Sequence, residues 1–315
     1  MTKTSTGVLY PTLFFLILSM SRYLSTFARK SYYISNFINW DLSQSSHIKM
    51  SIVAIVFATL HAIGHLTGSF LYGSRPAQEA QVAMLLGPDS VPRPYVNYVR
   101  SLPGWSGNTT LGLFYILALM SMPIVRKTSY EVFQADHLLM FPIIGLLCAH
   151  GTEQLLQCAM LGSGLAVLTV FGVVERLARI LGDFHRIKAQ IEILDENTIA
   201  ITVNIPKYRY WPYKAGQHIF LQVPELSFFQ WHPFTISWCI GNEMPVHIKQ
   251  DGDWTGALRN LAKECQASTI YVGIDGSFGA PAQRFYDFDY SIVLGSGIGI
   301  APFSGILTDL QAREE

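Results

Sequence analysis

Long apolar runs separated by short polar connections make up the first half of the chain. Runs at roughly residues 7–27, 48–71, 109–125, 137–152 and 157–175 approach the ~20 residues that a helix needs to cross the apolar core of a bilayer. Beyond about residue 183, short alternating segments bounded by Gly, Pro and Asn are typical of strands in a water-exposed sheet. The pattern predicts a membrane-embedded helical half followed by a soluble, strand-rich half.

The composition agrees with this division and argues against several classes of partner and site. The 315 residues are 50% hydrophobic and 14% charged, with no net charge, so no basic surface favours a nucleic acid as partner. Four scattered cysteines lack a C-x-x-C pair and predict neither a disulfide framework nor a zinc site. Membrane lipid is the predicted partner, and nucleic acid is excluded.

Basic residues in the short connections predict the orientation in the membrane. They follow the first, third and fifth runs, at Arg22, Arg29, Lys30, Arg126, Lys127, Arg176, Arg179 and Arg186. The positive-inside rule makes that side cytosolic, so the soluble half is cytosolic and residues 72–107 form the main outer loop. This predicts a multi-pass protein of the plasma membrane or an internal membrane. A rival interpretation takes GVLYPTLFFLILSM as the core of a cleaved signal peptide, although no A-x-A-like site follows.

Histidines within the apolar runs are candidate functional residues, because an ionisable side chain is costly at bilayer depth. His47 and His61, 14 positions apart on the second run, share one face at two levels about 21 Å apart. His65 lies one turn further along and has no counterpart on the fourth run.

The fourth run carries a matching pair. His137 and His150 are 13 positions apart, which gives a rise of about 20 Å but leaves them about 140° out of phase on an ideal helix. Pro142 and Gly145 lie between them and are expected to kink the helix and restore the phase. Two opposed pairs of neutral imidazoles match two bis-histidine haems better than zinc, which needs a compact cluster of ligands.

The soluble half begins with predicted strands. AQIEILDENTIAITVNIP indicates two strands joined by a turn, AGQHIFLQVP another, and WHPFTISW a short strand headed by His232. PVHIKQDGDWTGALRN predicts a strand ending at Lys249 and a helix starting near Thr255, whose free N–H groups suit a phosphate. IYVGIDGSFGAP adds a strand and a glycine-rich turn.

A glycine-rich loop closes the sequence. YSIVLGSGIGIAPFSGILTDLQ predicts strand, loop and helix, with glycines spaced G-x-G-x-G rather than in the dinucleotide fingerprint G-x-G-x-x-G. Only about 12 residues follow Phe303, so we expect only the start of a nucleotide-binding domain.

Together these motifs resemble the NADPH oxidase family, within the wider group of ferric reductase-like membrane haem proteins that carry a ferredoxin-reductase-type flavin domain. The resemblance covers nearly the whole chain and rests on HAIGH, VRKTSYEVFQADHLL, AHG, HPFT, HIKQDGDWT, DGSFG and GSGIGIAPF. It implies a multi-domain protein: a transmembrane α-helical haem bundle (1–178), an antiparallel β-barrel FAD domain (179–288) and the truncated start of an α/β NADPH-binding domain (289–315).

The resemblance also implies the chemistry. Electrons would enter as hydride from NADPH to FAD, cross singly through two haems b, and reduce molecular oxygen outside to superoxide. The inner haem would be held by His47 and His137, and the outer by His61 and His150, with His65 as a catalytic residue beside the oxygen. The ligands have 13 residues between them on one helix and 12 on the other, which favours an oxidase over a ferric reductase. Regulatory membrane or cytosolic subunits are candidate partners.

Roles in the soluble half follow from the same resemblance. Phe234 would lie beside the isoalloxazine ring, and Thr235 would bond near its reactive nitrogen. Lys249, where arginine is usual, would join Trp254 and Thr255 around the pyrophosphate or adenosine part. The predicted cofactor-binding residues are His232, Pro233, Phe234, Thr235, Ile236, Ser237, His247, Ile248, Lys249, Trp254, Thr255, Gly295, Gly297, Gly299, Pro302 and Phe303.

The chain departs from the family pattern at both ends. The first of six membrane helices is missing, an arginine expected near the oxygen pocket falls at best near Lys3, and most of the nicotinamide domain is missing. We therefore expect a fragment or truncated isoform that holds haem and FAD better than it turns over NADPH. Two alternatives stay open: a ferric or cupric chelate reductase, and a non-catalytic isoform that acts by binding a partner.

Overall fold

The computed structural model describes two compact units. It describes residues 2–155, 172, 174–175, 186–207, 211–228, 230–264 and 269–314. One unit comprises residues 1–21 and 42–174, and the other comprises residues 22–41 and 175–315. The predicted domain boundary at residue 178 falls outside the described residues, and the one at residue 288 falls inside the second unit.

The described part of the first unit is helical, and so are residues of the 22–41 segment of the second unit. In chain order they are α1 (Thr2–Leu18), α2 (Arg22–Ala28), α3 (Tyr32–Phe37), α4 (Ser43–Ile63), α5 (Phe70–Gly73), α6 (Glu79–Leu86), α7 (Tyr95–Arg100), α8 (Leu102–Met120), α9 (Pro123–Thr128), α10 (Tyr130–Asp136) and α11 (Met140–Leu155). Of these, α2 and α3 belong to the second unit.

Membrane-length helices occur where the second and fourth runs predict them. Among the described residues, Trp40–Gly73 and Tyr130–Gly151 are long and apolar enough to cross a membrane, and α1 with α2 would add a third span if counted as one broken helix. The first predicted run is therefore broken near residue 20. Nearly all of the fifth run lies outside the described residues. These apolar helices are those of a membrane protein.

The third run differs from its prediction at its start. Helix α8 begins at Leu102, so the last residues of the predicted outer loop are helical. Pro103 lies in the first turn, where the N–H that proline lacks would have no helical acceptor, and its fixed φ favours a helix. The Pro- and Gly-rich sequence therefore begins a helix.

The departure from a regular α-helix lies just before Pro142, not between Pro142 and Gly145. Pro142 lies in the first turn of α11, which continues through it and through Gly145. The departure from an α-helix comes earlier, in a 3₁₀ turn at His137–Leu139. A 3₁₀ turn rotates about 120° per residue instead of about 100°, so it supplies part of the missing phase. A π-helical turn at Gly64–Ser69 likewise follows α4 and contains His65.

The second unit is built on an open, six-stranded antiparallel sheet in the order β4-β3-β6-β1-β2-β5. The strands are β1 (Ile187–Ile193), β2 (Thr198–Asn204), β3 (His218–Gln222), β4 (His232–Thr235), β5 (Glu243–Lys249) and β6 (Thr269–Phe278), with α12 (Asp253–Glu264) and α13 (Ala301–Glu314) after β5 and β6. The antiparallel sheet is confirmed, and β4 and β5 are the two ends of its strand order, so the predicted barrel is seen only as an open sheet.

Alternation explains the core of this unit. Ile199, Ile201 and Val203 are fully buried at every second position of β2, because successive side chains of a strand point to opposite faces. Val246 and Ile248 repeat the pattern on the paired strand β5. Burial of these β-branched side chains fixes the register of the sheet.

The strand predicted before the glycine-rich loop does not form. Residues 289–296 have no helix or strand, and Tyr290, Ile292 and Leu294 are 96%, 91% and 85% exposed. None of the described strands pairs with this segment, so no ladder satisfies its backbone groups. The predicted loop and helix are present, since a 3₁₀ turn at Gly297–Ile300 leads into α13.

Candidate functional site

The outer pair of predicted haem ligands is assembled in the helical unit. The ring centres of His61 and His150 are 6.1 Å apart. A metal held by one nitrogen of each ring, at about 2 Å, would put the ring centres roughly 6 Å apart. His150 Nδ1 lies 2.8 Å from the carbonyl oxygen of Pro103, and His61 Nδ1 lies 3.4 Å from that of Thr2. Since a carbonyl only accepts, each Nδ1 carries the proton and each Nε2 keeps its lone pair for a metal.

The inner pair repeats this arrangement. His47 Nδ1 lies 3.2 Å from the carbonyl oxygen of Leu16, and His137 Nδ1 lies 2.9 Å from that of Phe133. Metal-bound histidines usually donate their second ring N–H to a carbonyl or carboxylate. All four predicted ligands therefore fit a metal at Nε2.

His65 has different surroundings from the four ligands. Its ring centre lies 4.6 Å from that of His61 and 5.4 Å from that of Phe70. Its Nδ1 is buried and has no hydrogen-bond partner among the described residues. The structure thus places His65 beside the outer pair, and no hydrogen bond from its Nδ1 to the described residues orients the ring.

Two neighbours of these histidines were missed by sequence reasoning. Thr6 Oγ1 on α1 lies 3.1 Å from His61 Nδ1, and Ser19 Oγ, just past the end of α1, lies 3.2 Å from His47 Nδ1. The signal was available, because these hydroxyls are 13 positions apart, nearly the spacing of the histidines that they contact.

Helix α8 touches the outer ligand directly. A Cβ added at Gly107 would lie 2.6 Å from His150 Cε1 and 2.8 Å from Nδ1, closer than real Cβ contacts allow. The Pro103 carbonyl that accepts from His150 lies one turn earlier on the same helix. One turn of α8 therefore fixes both the hydrogen bond and the position of this ring.

The predicted flavin residues lie on β4 and at the start of α12. The Trp254 ring centre is 4.2 Å from that of His232, with the planes tilted by 31°, and 5.9 Å from that of Phe234, on which it stacks at 27°. Thr255 Oγ1 accepts from the backbone N–H of Asp251 at 2.9 Å and so braces the turn before α12. Predicted ring-binding and phosphate-binding residues are thereby brought together.

Two predicted cofactor residues, Ser237 and His247, contact each other through their side chains. Ser237 is fully buried, and its hydroxyl lies 2.6 Å from Nδ1 of His247. Its backbone N–H donates to the carbonyl of Pro245 at 3.1 Å, so it links the end of β4 to β5 at the opposite edge of the sheet. Burial lowers the pKa of His247. Ile236 and Ile248, also predicted cofactor residues, lie in the core.

The glycine-rich loop stands at the start of α13. Gly297 has φ +53°, a left-handed conformation that favours glycine, and Gly295 packs against the backbone of Ile300. Pro302 occupies the first turn of α13. Phe303 lines a cleft of about 260 Å³.

Helix α2 packs on the sheet of its own unit, which the sequence did not indicate. The Arg22 guanidinium carbon lies 3.5 Å from the Phe220 ring centre, and its nitrogen lies 3.8 Å from the Asp275 carboxylate. Burial, followed by the positive charges of Arg22 and Arg29, lowers the pKa of His218 to about 4. His218 pairs across β3 and β4 with Thr235, so a neutral imidazole lies beside the predicted flavin strand.

Comparison with known proteins covers both halves of the chain. The ferric reductase like transmembrane component family matches residues 6–148, and the FAD-binding domain family matches residues 184–282. A superoxide-generating NADPH oxidase heavy chain of Dictyostelium discoideum is 27% identical over 94% of this chain and 59% of its own length. Dual oxidase 1 of Caenorhabditis elegans is 26% identical over 99% of this chain and 21% of its own length. A ferredoxin NADP+ reductase structure from Neisseria gonorrhoeae is 28% identical, with a TM-score of 0.33, over 42% of this chain and 53% of that one.

The chain spans 59% of the length of the Dictyostelium relative and 21% of that of the Caenorhabditis relative. Within that span, the order of a ferric reductase-like membrane component followed by an FAD-binding domain is the order of the two structural units. The chain is therefore similar, over nearly its whole length, to NADPH oxidases and dual oxidases.

Proposed function

We propose that the protein transfers electrons across a membrane, from NADPH through FAD and two bis-histidine haems to molecular oxygen. One NADPH gives two electrons, which reduce two dioxygen molecules to two superoxide ions and release one proton. The observation that carries the proposal is the state of the four histidines: each Nδ1 faces a backbone carbonyl, and each Nε2 is left for a metal. The Dictyostelium relative is itself named superoxide-generating.

Each residue has a distinct role in this proposal. His47 and His137 would hold the inner haem, and His61 and His150 the outer. Haem and flavin supply single-electron chemistry when bound. His65, with its unengaged buried Nδ1, would meet dioxygen at the outer site as donor or acceptor.

The soluble unit would bind FAD on the face that carries Trp254. Phe234 would lie beside the isoalloxazine, Thr235 near its reactive nitrogen, and Lys249 and Thr255 near the pyrophosphate. The Ser237–Pro245 backbone bond supports a sheet that closes toward a barrel around this site. The glycine-rich loop would approach NADPH. We propose a cytosolic location for this unit, in a plasma or internal membrane protein.

A haem count tests the proposal. The reduced-minus-oxidised spectrum of the purified chain should give two haems per chain, and His61→Leu and His137→Leu should each lose haem. His232→Leu is the control, since it removes a histidine from the soluble unit and should keep both haems. Unchanged haem content in both ligand variants would reject the proposed pairing.

The match to the ferric reductase like component supports a second candidate, a ferric or cupric chelate reductase that uses the same electron path with a metal chelate as acceptor. Reduction of an external dye that superoxide dismutase abolishes would identify the oxidase, whereas a chelate reductase should work without oxygen. Intact haem spectra without NADPH oxidation would support the third candidate, a non-catalytic chain that acts by binding a partner.

A further inference from the structure

The α1 segment repeats one polar arrangement at the two histidine levels. At the inner level, the Ser19 hydroxyl donates to the Leu16 carbonyl at 2.8 Å. His47 Nδ1 lies 3.2 Å from that same carbonyl oxygen and 3.2 Å from Ser19 Oγ. The imidazole N–H therefore faces a carbonyl oxygen and a hydroxyl oxygen together.

The outer level has the same three groups. The Thr6 hydroxyl donates to the Thr2 carbonyl at 3.0 Å. His61 Nδ1 lies 3.4 Å from that carbonyl oxygen and 3.1 Å from Thr6 Oγ1. Ser19 and Thr6 are 13 positions apart, so one apolar segment presents the arrangement twice, once for each histidine of α4.

The geometry fixes the direction of these bonds. Each hydroxyl has one proton, and it is committed to the carbonyl of its own turn, so the hydroxyl oxygen accepts from the imidazole Nδ1–H. A partner at Nδ1 fixes the tautomer and the ring plane and raises the basicity of Nε2. Such bonds are stronger in a medium of low dielectric constant, where water does not compete.

We propose that Ser19 and Thr6 are positioning residues that tune the inner and outer haem separately, Ser19 through His47 and Thr6 through His61. This rests on the proposed function, because it needs a haem at each level. The prediction is that the two redox midpoints of the protein can be moved one at a time by substitutions in α1 and its C-terminal turn, away from the ligands themselves.

The chain offers a matched control on the same helix. Thr12 lies between the two levels, and its hydroxyl donates to the Val8 carbonyl at 2.7 Å, as the other two hydroxyls do within their own turns. Thr12→Val therefore removes a hydroxyl of the same kind without removing one of the two histidine contacts described above.

The experiment is a spectroelectrochemical titration of the full chain, loaded with haem. Ser19→Ala should move one of the two midpoints to more positive potential, because a less basic Nε2 stabilises the ferric state less. Thr6→Val should move the other midpoint in the same direction, and Thr12→Val should move neither. The conservative variants Ser19→Thr and Thr6→Ser should restore wild-type midpoints. We also expect haem affinity at the altered site to fall about tenfold, the low end for loss of an outer-shell partner, since the carbonyl contact remains.

Several results would overturn the inference: both midpoints moving together in either variant, neither midpoint moving, or Thr12→Val reproducing the shift. If Ser19→Ala loses one haem outright, the surviving midpoint must be the one that Thr6→Val moves, and loss of both haems rejects separate action. Two haems with insensitive midpoints would refute only the roles of Ser19 and Thr6. Fewer than two haems in the wild type would refute the proposed function and this inference with it.

Discussion

Gly107 determines how closely α8 approaches His150, the proposed ligand of the outer haem, and Gly107→Ala tests this directly. The new methyl carbon would lie 2.6 Å from His150 Cε1 and 2.8 Å from Nδ1. Optimal contacts between carbon atoms are at about 3.5–4.0 Å, so the His150 ring or α8 must move by roughly 1 Å. The same movement pulls Nδ1 away from the Pro103 carbonyl, 2.8 Å distant.

The size of the effect follows from these two losses. Overpacking by one methyl group costs about 1–3 kcal/mol, and loss of the His150–Pro103 hydrogen bond costs about 1 kcal/mol. The sum, about 2–4 kcal/mol, corresponds to roughly 30- to 1,000-fold weaker binding of the outer haem. Alanine is itself about 1 kcal/mol better than glycine in a helix, so the change does not weaken α8 by propensity.

Haem content per chain and the reduced-minus-oxidised spectrum are the measurements. Gly107→Ala should keep one haem and lose the outer one. Gly112→Ala is the control: it lies on the same helix, gains the same helix propensity, and its added Cβ meets nothing within 4 Å among the described residues. Two tightly held haems in Gly107→Ala, or equal losses in both variants, would refute the reasoning.

Two further predictions concern the soluble unit. Ser237→Ala leaves His247 without its partner, which costs about 1–3 kcal/mol, so FAD binding measured by flavin fluorescence should weaken roughly 5- to 150-fold. Ser237→Thr should restore it, and unchanged affinity in the alanine variant would contradict the linking role. For His218, the folded pKa of about 4 lies below the ordinary 6.5, so the unfolded state takes up the proton first. The free energy of unfolding should therefore be full above pH 6.5 and fall by at most about 3 kcal/mol as the pH drops toward 4, and thermal melts of His218→Gln should show a smaller fall.

The features that could be predicted from sequence are those marked by residue types or periods that are recognisable within one segment of the chain. His47 and His61 stood out because imidazoles are rare in apolar runs, and the strands of the soluble unit showed the period of two that burial requires, as in Ile199 and Ile201. The predictions that were wrong concern features that depend on contact with another segment of the chain. The strand predicted around Ile292 lacks a neighbouring strand among the described residues, and nothing in its own pattern reveals that.

The ligands themselves depend on such partner segments. The four histidines lie on two helices of membrane-spanning length, and the apolar interior of a membrane provides no water to orient an imidazole. Each Nδ1–H must therefore use an oxygen that a helix can spare: a carbonyl that keeps a second lone pair, or a hydroxyl beside it. The α1 segment supplies these oxygens for His47 and His61, α8 supplies one for His150, and only His137 uses its own helix. The hydroxyl-bearing residues Thr6 and Ser19 therefore occur on the α1 segment at nearly the spacing of His61 and His47, the two histidines that they contact.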